Sequence, residues 1–372
     1  MTEYSTAPLE NGILPVQHLR DLIAKGIVIP TAPLDDKQLQ PASLDLRLGK
    51  KAYRMRASFL PRPNHTVEER LQQLSLHEID LTDSAVLETG CVYIVSLLEA
   101  LNLPPHMSAA TNPKSSTGRL DVFTRVIADG VNAFDHIPEG YRGPLFAEIC
   151  PQTFPIIVRT GSSLSQIRLR TGNPTEADSE LQSLHARETL IAGSSAADIR
   201  NGIALSVDLS DALAESSGGL VGYRAKRHTG LVDIDAPGSC AIKDYWEPVY
   251  ADPKFGLVLD PDQFYILASK EAVHIPPSHA AEMVPFNPLV GEFRVHYAGF
   301  MDPGFGHAAA GGTGARVVLE VRSHKVPFIL ENGQIVGRLI YERMCNRPDM
   351  LYGKDLGSHY QAQGLKLSKH FV

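Results

Sequence analysis

The stretch YAGFMDPGFGHAAAGGTGARVVLEV, Tyr297 to Val321, reads as strand, turn, strand. Tyr297 to Met301 is apolar and extended, Asp302-Pro303-Gly304 is turn chemistry, and Arg316 to Val321 is a β-branched run with one acid, Glu320. Carboxylates are depleted in strands and costly to bury, so Glu320 sits either on a solvated face or in a pocket that uses its charge.

Working outward, the same pattern occurs earlier in the chain. Glu148 in LFAEI lies 172 positions before Glu320, and Tyr93 and Tyr265, Glu99 and Glu271, Pro155 and Pro327, and Gly161 and Gly333 keep that spacing. The double prolines Pro104-Pro105 and Pro276-Pro277 keep it too. A register held over some seventy residues means two copies of one β-domain. Ahead of it, LQPASLDLRL from Leu39 has only a looser echo in ALSVDLS from Ala204, so insertions intervene. The expected division is a first domain over 1–172, a helical joint over 173–192 and a second domain over 193–372. Val16, Leu19, Leu22 and Ile23 predict a short helix between Pro15 and Lys25, and helical spacing returns near Leu181 and Leu184. Elsewhere, scattered Pro and Gly between short apolar runs predict a mainly β chain with a few short helices.

Composition narrows the function. With 43% hydrophobic and 21% charged residues in 372, the chain has core material for two domains. A formal net charge of −7, with no Lys/Arg block, argues against a nucleic acid polymer as partner. Cys91, Cys150, Cys240 and Cys345 are far apart and form no Cys-x-x-Cys pair, so neither a disulfide framework nor a zinc knuckle is expected. MTEYSTAPLENG is not a basic-then-apolar leader, and no apolar run approaches the ~18 residues that span a bilayer, so a cytoplasmic protein without membrane association is expected.

QPASLDLRLG, KSSTGRL, AGFMDPGF, the Glu of VVLEV, the Gly-x-x-x-x-Gln of Gly161 to Gln166 and the YQAQG tail together resemble the dCTP deaminase branch of the dUTPase-like superfamily. The doubled length is similar to the two-domain bacterial members. The resemblance implies two tandem dUTPase-like domains, distorted jelly-rolls or β-barrels, in a homo-oligomer with sites at domain interfaces. It implies dCTP as substrate, dUTP and ammonia as products, and dTTP as a candidate feedback ligand.

Each half has lost what the other keeps. Lys114 to Arg119 is intact in the first half, but VIADGVNAF stands opposite AGFMDPGFG; in the second half AGFMDPGF is intact, but FNPLVGE stands opposite KSSTGR. One full set of parts remains, which implies a composite site within the chain or between chains.

Replacing the amino group at cytosine C4 needs a nucleophilic water, a proton for N3 and a proton for departing ammonia, and one carboxylate can make all three transfers. The zinc deaminase signatures His-x-Glu and Pro-Cys-x-x-Cys are absent from the sequence, so no zinc is expected. By resemblance Glu320 is general base and acid, the Ala298 carbonyl and Ser115 hydroxyl hold the water, and Arg119 steadies the developing charge. Lys114, Ser116 and the backbone at Thr117-Gly118 would form an anion-binding turn, with Mg²⁺ arriving on the triphosphate. Gln166 or Arg338 would meet phosphate, and Asp302 lies where dUTPases place a water-activating acid. The tail with Tyr352, His359, Tyr360 and Gln363 would close over the nucleotide, and deleting Gly357 to Val372 is expected to abolish turnover with the fold intact. Glu148, without the Asp-Pro-Gly turn, is expected on a solvated or interface face. A dUTP-cleaving or bifunctional enzyme, and an inactive nucleotide-binding module, are the alternatives.

Overall fold

The computed structural model describes residues 11–192, 197–210, 219–252, 254–285, 293–296, 299–323, 325–353 and 364–372, with backbone alone at 285 and 293–296. It is built from strands, with short helices at Val16–Ala24, Val67–Leu74, Ser115–Gly118, Asp178–Arg187 and Ile242–Tyr245. The helix Val16–Ala24 forms as its spacing predicts, burying Val16, Leu19 and Leu22 on one face.

The repeat is carried by the strands themselves. Ala85–Leu87 returns as Leu257–Leu259, Met107–Pro113 as His279–Pro285, Ile156–Val158 as Phe328–Leu330, and Ser163–Thr171 as Ile335–Arg343. Every one of those ends is displaced by 172 residues. Hydrogen bonds repeat as well. The Tyr93 hydroxyl accepts from the Glu88 N–H at 3.1 Å, and that of Tyr265 from the Asp260 N–H at 3.0 Å. Buried Glu99 accepts from the Arg47 N–H at 2.8 Å and Glu271 from the Ser206 N–H at 2.7 Å, which aligns the loosely related QPASLDLRL and ALSVDLS segments.

In the first half the long strand Leu44–Met55 serves two neighbours. Its start pairs with Ser163–Thr171, and its remainder with Val92–Asn102 after a shift between Leu48 and Ala52. The bend wraps the sheet around Leu46, Leu48, Val95, Ala147 and Ile149, which are all fully or almost fully buried. The second half has its own core around Leu205, Leu267, Val317, Leu319 and Leu339.

The halves share interior. Tyr245, Trp246, Phe264, Ile266, Val318, Leu367 and Phe371 of the second half pack in the first half's core. Phe154 meets the Trp246 ring at 5.4 Å and the Phe371 ring at 5.9 Å. The alternation of Ala315–Ser323 explains how: Val317, Leu319 and Val321 face their own core, whereas Val318 faces the first half and Glu320 shares its side of the strand.

Candidate functional site between the two halves

The turn that carries KSSTGR is a single helical turn, Ser115–Gly118, capped by Lys114 at the end of Met107–Pro113. The Lys114 carbonyl accepts the Thr117 N–H at 2.8 Å and the Gly118 N–H at 3.0 Å. Those two amides are therefore taken up inside the turn and are not donors to a phosphate, contrary to the expectation for Thr117-Gly118. Ser115 is half-buried, while Ser116, Gly118 and Arg119 are buried.

Arg119 crosses to the second half. Its Nη1 donates to the Lys366 carbonyl at 3.0 Å, and its charge acts on Glu320. Glu320 is 5% exposed, so the pocket reading holds and the solvated-face reading falls. Burial pushes its carboxyl well above the ordinary range; Arg119 pulls it down and Asp121 pushes it up. The composite arrangement thus forms within one chain.

A clasp sets the distance between the two pieces. Arg322, two residues after Glu320 and on the same strand face, pairs with Asp121, which follows the KSSTGR turn, and donates to Thr153 Oγ1 at 3.0 Å. Asp121 is fully buried in a left-handed conformation with φ of 57°. Sequence reading missed Asp121, Thr153 and Arg322, although the two-residue spacing from Glu320 pointed to Arg322.

Arg168 builds the other wall. Only 1% of its side chain is exposed, and its guanidinium donates to the Ala281 carbonyl at 3.2 Å, Glu342 at 3.0 Å, the Met301 carbonyl at 3.3 Å and Asp302 at 3.2 Å. It also stands 4.1 Å over the Phe300 ring. A first-half cation therefore holds the Asp-Pro-Gly turn of the second half. Burial raises the Asp302 carboxyl, with Arg168 opposing. Tyr352 joins the turn through its N–H to the Pro303 carbonyl at 2.8 Å and its ring 5.7 Å from Phe305. At Gly304, φ +98°, a Cβ would meet Leu351 Cβ at 2.9 Å, so only glycine lets the two segments approach.

Cations gather beside the KSSTGR turn. Lys114 pairs with Asp45, and Lys369 lies close enough that burial and the Lys114 charge lower its pKa. Lys369 is positioned by its neighbour Ser368, whose hydroxyl donates to the Ser116 carbonyl at 2.8 Å. Gln166 is in register with Asp45 and Asn112, and its amide reaches the Pro113 carbonyl at 3.4 Å. Arg338 faces Asp198 at 3.8 Å and the Gly202 carbonyl at 3.3 Å, inside the second half. The duplicated position that joins the Lys114 turn is thus Gln166. Ala298, His359, Tyr360 and Gln363 lie outside the described residues.

Two expectations need correction. Glu148 is neither solvated nor at an interface: it is 1% exposed and takes a hydrogen bond from Arg125 Nε at 3.1 Å. Arg125 in turn stacks 3.4 Å from the Phe134 ring centroid. The last nine residues are also more than a lid, because Leu367 and Phe371 are core residues, and the Cys240 N–H donates to the His370 carbonyl at 3.0 Å. Removing them removes interior.

A strand-built chain of two similar halves, with a buried acid of one half facing a cation of the other, is the class of protein that fold and geometry define. Residues 10–173 match the model of the 2'-deoxycytidine 5'-triphosphate deaminase N-terminal domain, and residues 177–371 that of its C-terminal domain. The crystal structure of 2'-deoxycytidine 5'-triphosphate deaminase from Agrobacterium tumefaciens is 59% identical, covers 91% of this chain and 99% of its own, and superposes with a TM-score of 0.86. Shorter relatives include a dCTP deaminase of Halorubrum lacusprofundi, 27% identical over 42% of this chain and 75% of its own length. Another is a dUMP-forming dCTP deaminase of Beutenbergia cavernae, 29% identical over 39% of this chain and 72% of its own. The chain belongs to the dCTP deaminase family.

Proposed function

We propose that the chain hydrolyses dCTP to dUTP and ammonia at the site between its halves, with Glu320 as the proton carrier. The observation that carries this reading is the buried Glu320 opposite Arg119, two residues contributed by different copies of the repeat. Glu320 takes a proton from water as its oxygen bonds to C4, and returns that proton to N3. It then takes the new hydroxyl proton and passes it to the amino group, which leaves as ammonia as the C4 carbonyl forms. A carboxyl raised by burial and pulled back by a guanidinium is suited to take up and give back a proton within one reaction. Ser115 and the Ala298 carbonyl orient the water, and Arg119 opposes charge that develops on the carboxylate and ring.

The triphosphate is assigned to Lys114 and Lys369, two cations held together against their own repulsion, with Gln166 alongside. Magnesium enters on the triphosphate as part of the substrate. The reaction needs no zinc in this reading, since Glu320 carries the protons. All four cysteines are free, in keeping with a reducing cytoplasm.

Release of dUTP is favoured over further cleavage because the Asp302 carboxylate is engaged by buried Arg168 in holding the turn, which takes it away from activating a phosphorus-directed water. Incubation with dCTP and Mg²⁺, with ammonia and pyrophosphate both measured, tests the reading. Ammonia without pyrophosphate is expected. Both together would make the chain dUMP-forming, and neither would leave a nucleotide-binding module.

A further inference from the structure

Asp121 follows Arg119 by two positions and Arg322 follows Glu320 by two, so each half brings one acid and one cation to the seam, in opposite order. Arg119 of the first half acts on Glu320 of the second, and Arg322 of the second pairs with Asp121 of the first. The backbone sets the two pairs side by side. Glu320 and Arg322 share one side of Ala315–Ser323. On the other side of the seam, the Arg119 N–H donates to the Ser115 carbonyl at 3.1 Å, Leu120 is fully buried, and the Asp121 N–H returns to the Gly118 carbonyl at 2.8 Å.

The second pair is tied down at both ends. Thr153 Oγ1 donates to Asp121 at 2.5 Å, and the Gln152 N–H donates to the Asp121 carbonyl at 2.9 Å. Arg322 Nη1 donates to the Asp262 carbonyl at 2.6 Å, and the Asp262 N–H donates to the Ser323 carbonyl at 3.0 Å. Arg322 is thus fixed by its own half before its Nη2 reaches Asp121 and Thr153 of the other.

The repeat separates this pair from the strand that carries it. At the 172-residue spacing, Cys150 stands where Arg322 does, Phe293 where Asp121 does and Lys325 where Thr153 does. Glu148 therefore lacks the arrangement, and Arg125 of its own half bonds to it instead. Stability alone gives no reason for the difference. A largely buried ion pair returns little beyond the cost of desolvating its charges, and Asp121 adds a negative charge within reach of another buried acid. Chemistry gives a reason. Arg119 weakens the hold of Glu320 on a proton that it must draw from water, and the Asp121 carboxylate works against that pull. The remaining positions around Glu320 are Arg322 on its own strand and His296 and Ile266 across from it on the flanking strands.

We propose that Asp121 and Arg322 are positioning residues for the deamination step, a second acid–cation pair that holds Glu320 and Arg119 at their working separation. The inference rests on the assignment of Glu320 as the proton carrier.

Ammonia release measured against pH for Asp121→Asn and Arg322→Lys, with the melting temperature of each, tests it. Asn keeps the shape of Asp, an acceptor oxygen for Thr153 and tolerance of the left-handed backbone at φ of 57°. Asp121→Asn should lower kcat on the order of ten- to a hundredfold with KM little changed. It should also move the acid limb of kcat/KM to lower pH, because removing a neighbouring negative charge favours the ionised form of Glu320. Arg322→Lys keeps the charge but not the fork that reaches Asp121, Thr153 and Asp262 together, so kcat should fall while the acid limb stays in place. Should Arg322→Lys fail to fold, Asp121→Asn alone decides. A pair with only a structural role would lower the melting temperature and leave kcat and the acid limb as in the wild type, and that result would overturn the inference. Glu320→Gln checks the assignment beneath it. Ammonia release that survives Glu320→Gln sinks that assignment; ammonia release lost there but normal in folded Asp121→Asn sinks the role of the pair alone.

Discussion

Glu148 and Glu320 stand at the same place on the same strand of the two halves, and what surrounds them has made them different groups. Glu148 has Arg125 directly across on the neighbouring strand, and that guanidinium bonds to it. At Glu320 the cross-strand position is His296, and the cation that acts on it, Arg119, belongs to the other half. The strand position is the same in both halves; the neighbouring element decides whether the carboxylate is held in a local ion pair or faces a cation of the other half. The sharpest way to break this comparison is to neutralise both. Glu320→Gln should lower the rate of ammonia release by ~10²–10⁴-fold, the usual cost of losing a general acid–base group. Glu148→Gln should leave turnover near the wild-type value. Equal losses from both, in folded proteins, would mean that repeat symmetry extends to chemistry. Mixing Arg119→Ala chains with Glu320→Gln chains should restore nothing, because both residues must come from one chain; recovery of activity would place the site between chains.

Much of this was legible in the sequence, and the reason lies in the strands. A register of 172 residues survives because Met107–Pro113 and Ser163–Thr171 recur with unchanged length, so the same residues alternate inward in both copies. The complementary loss of KSSTGR and the Asp-Pro-Gly turn was visible for the same reason. Arg168 was not legible. It is one of two arginines in the strand Ser163–Thr171, and its partners Ala281, Met301, Asp302 and Glu342 are all more than a hundred positions away. The tail departs from the lid expectation because Leu367 and Phe371 in GLKLSKHFV are apolar residues that pack in the core.

That tail gives the next test, since it joins the two halves through one ring. Phe371 packs on Phe154 of the first half and on Tyr245 at 5.4 Å and Trp246 at 5.5 Å in the second. Phe371→Ala should destabilise the protein by about 3–5 kcal/mol, the range for a large core aromatic. Chemical denaturation followed by the single tryptophan reports on this site directly. Loss of activity at unchanged stability would return the tail to the role of a lid.

A smaller effect comes from the polar seam. Asn112 of the first half donates to Glu282 of the second at 3.0 Å, and burial, with Glu342 adding to it, lifts the Glu282 pKa to about 7 against the pull of Arg168 and Arg170. Folded protein therefore holds this proton more tightly than the unfolded chain does. The stabilisation is fully present below the ordinary carboxylate pKa and is lost as pH rises through about 7. Its full extent is on the order of 3 kcal/mol. Asp135, raised by burial to about 6, acts in the same direction. Glu282→Gln should flatten the fall in stability between mildly acidic and slightly alkaline pH. An unaltered slope would show that the seam does not titrate.

The smallest effect examines the ground on which the two halves agree. Tyr93 and Tyr265 are both buried, and each hydroxyl accepts one backbone N–H, from Glu88 and Asp260 respectively. Neither bond belongs to the catalytic site. Tyr93→Phe and Tyr265→Phe each remove the acceptor and leave the ring in place, which should cost about 1 kcal/mol. Each tyrosine has an arginine across the strand, Arg54 with its guanidinium 5.7 Å from the Tyr93 ring centroid and Arg224 opposite Tyr265, but the rings pack in separate cores. If the repeated hydrogen bond sets the cost, the two substitutions should destabilise equally and their double mutant should be additive, because the residues belong to separate cores. A clear difference between them would mean that the duplicated contact has kept its geometry while its energy has come to depend on the half that holds it.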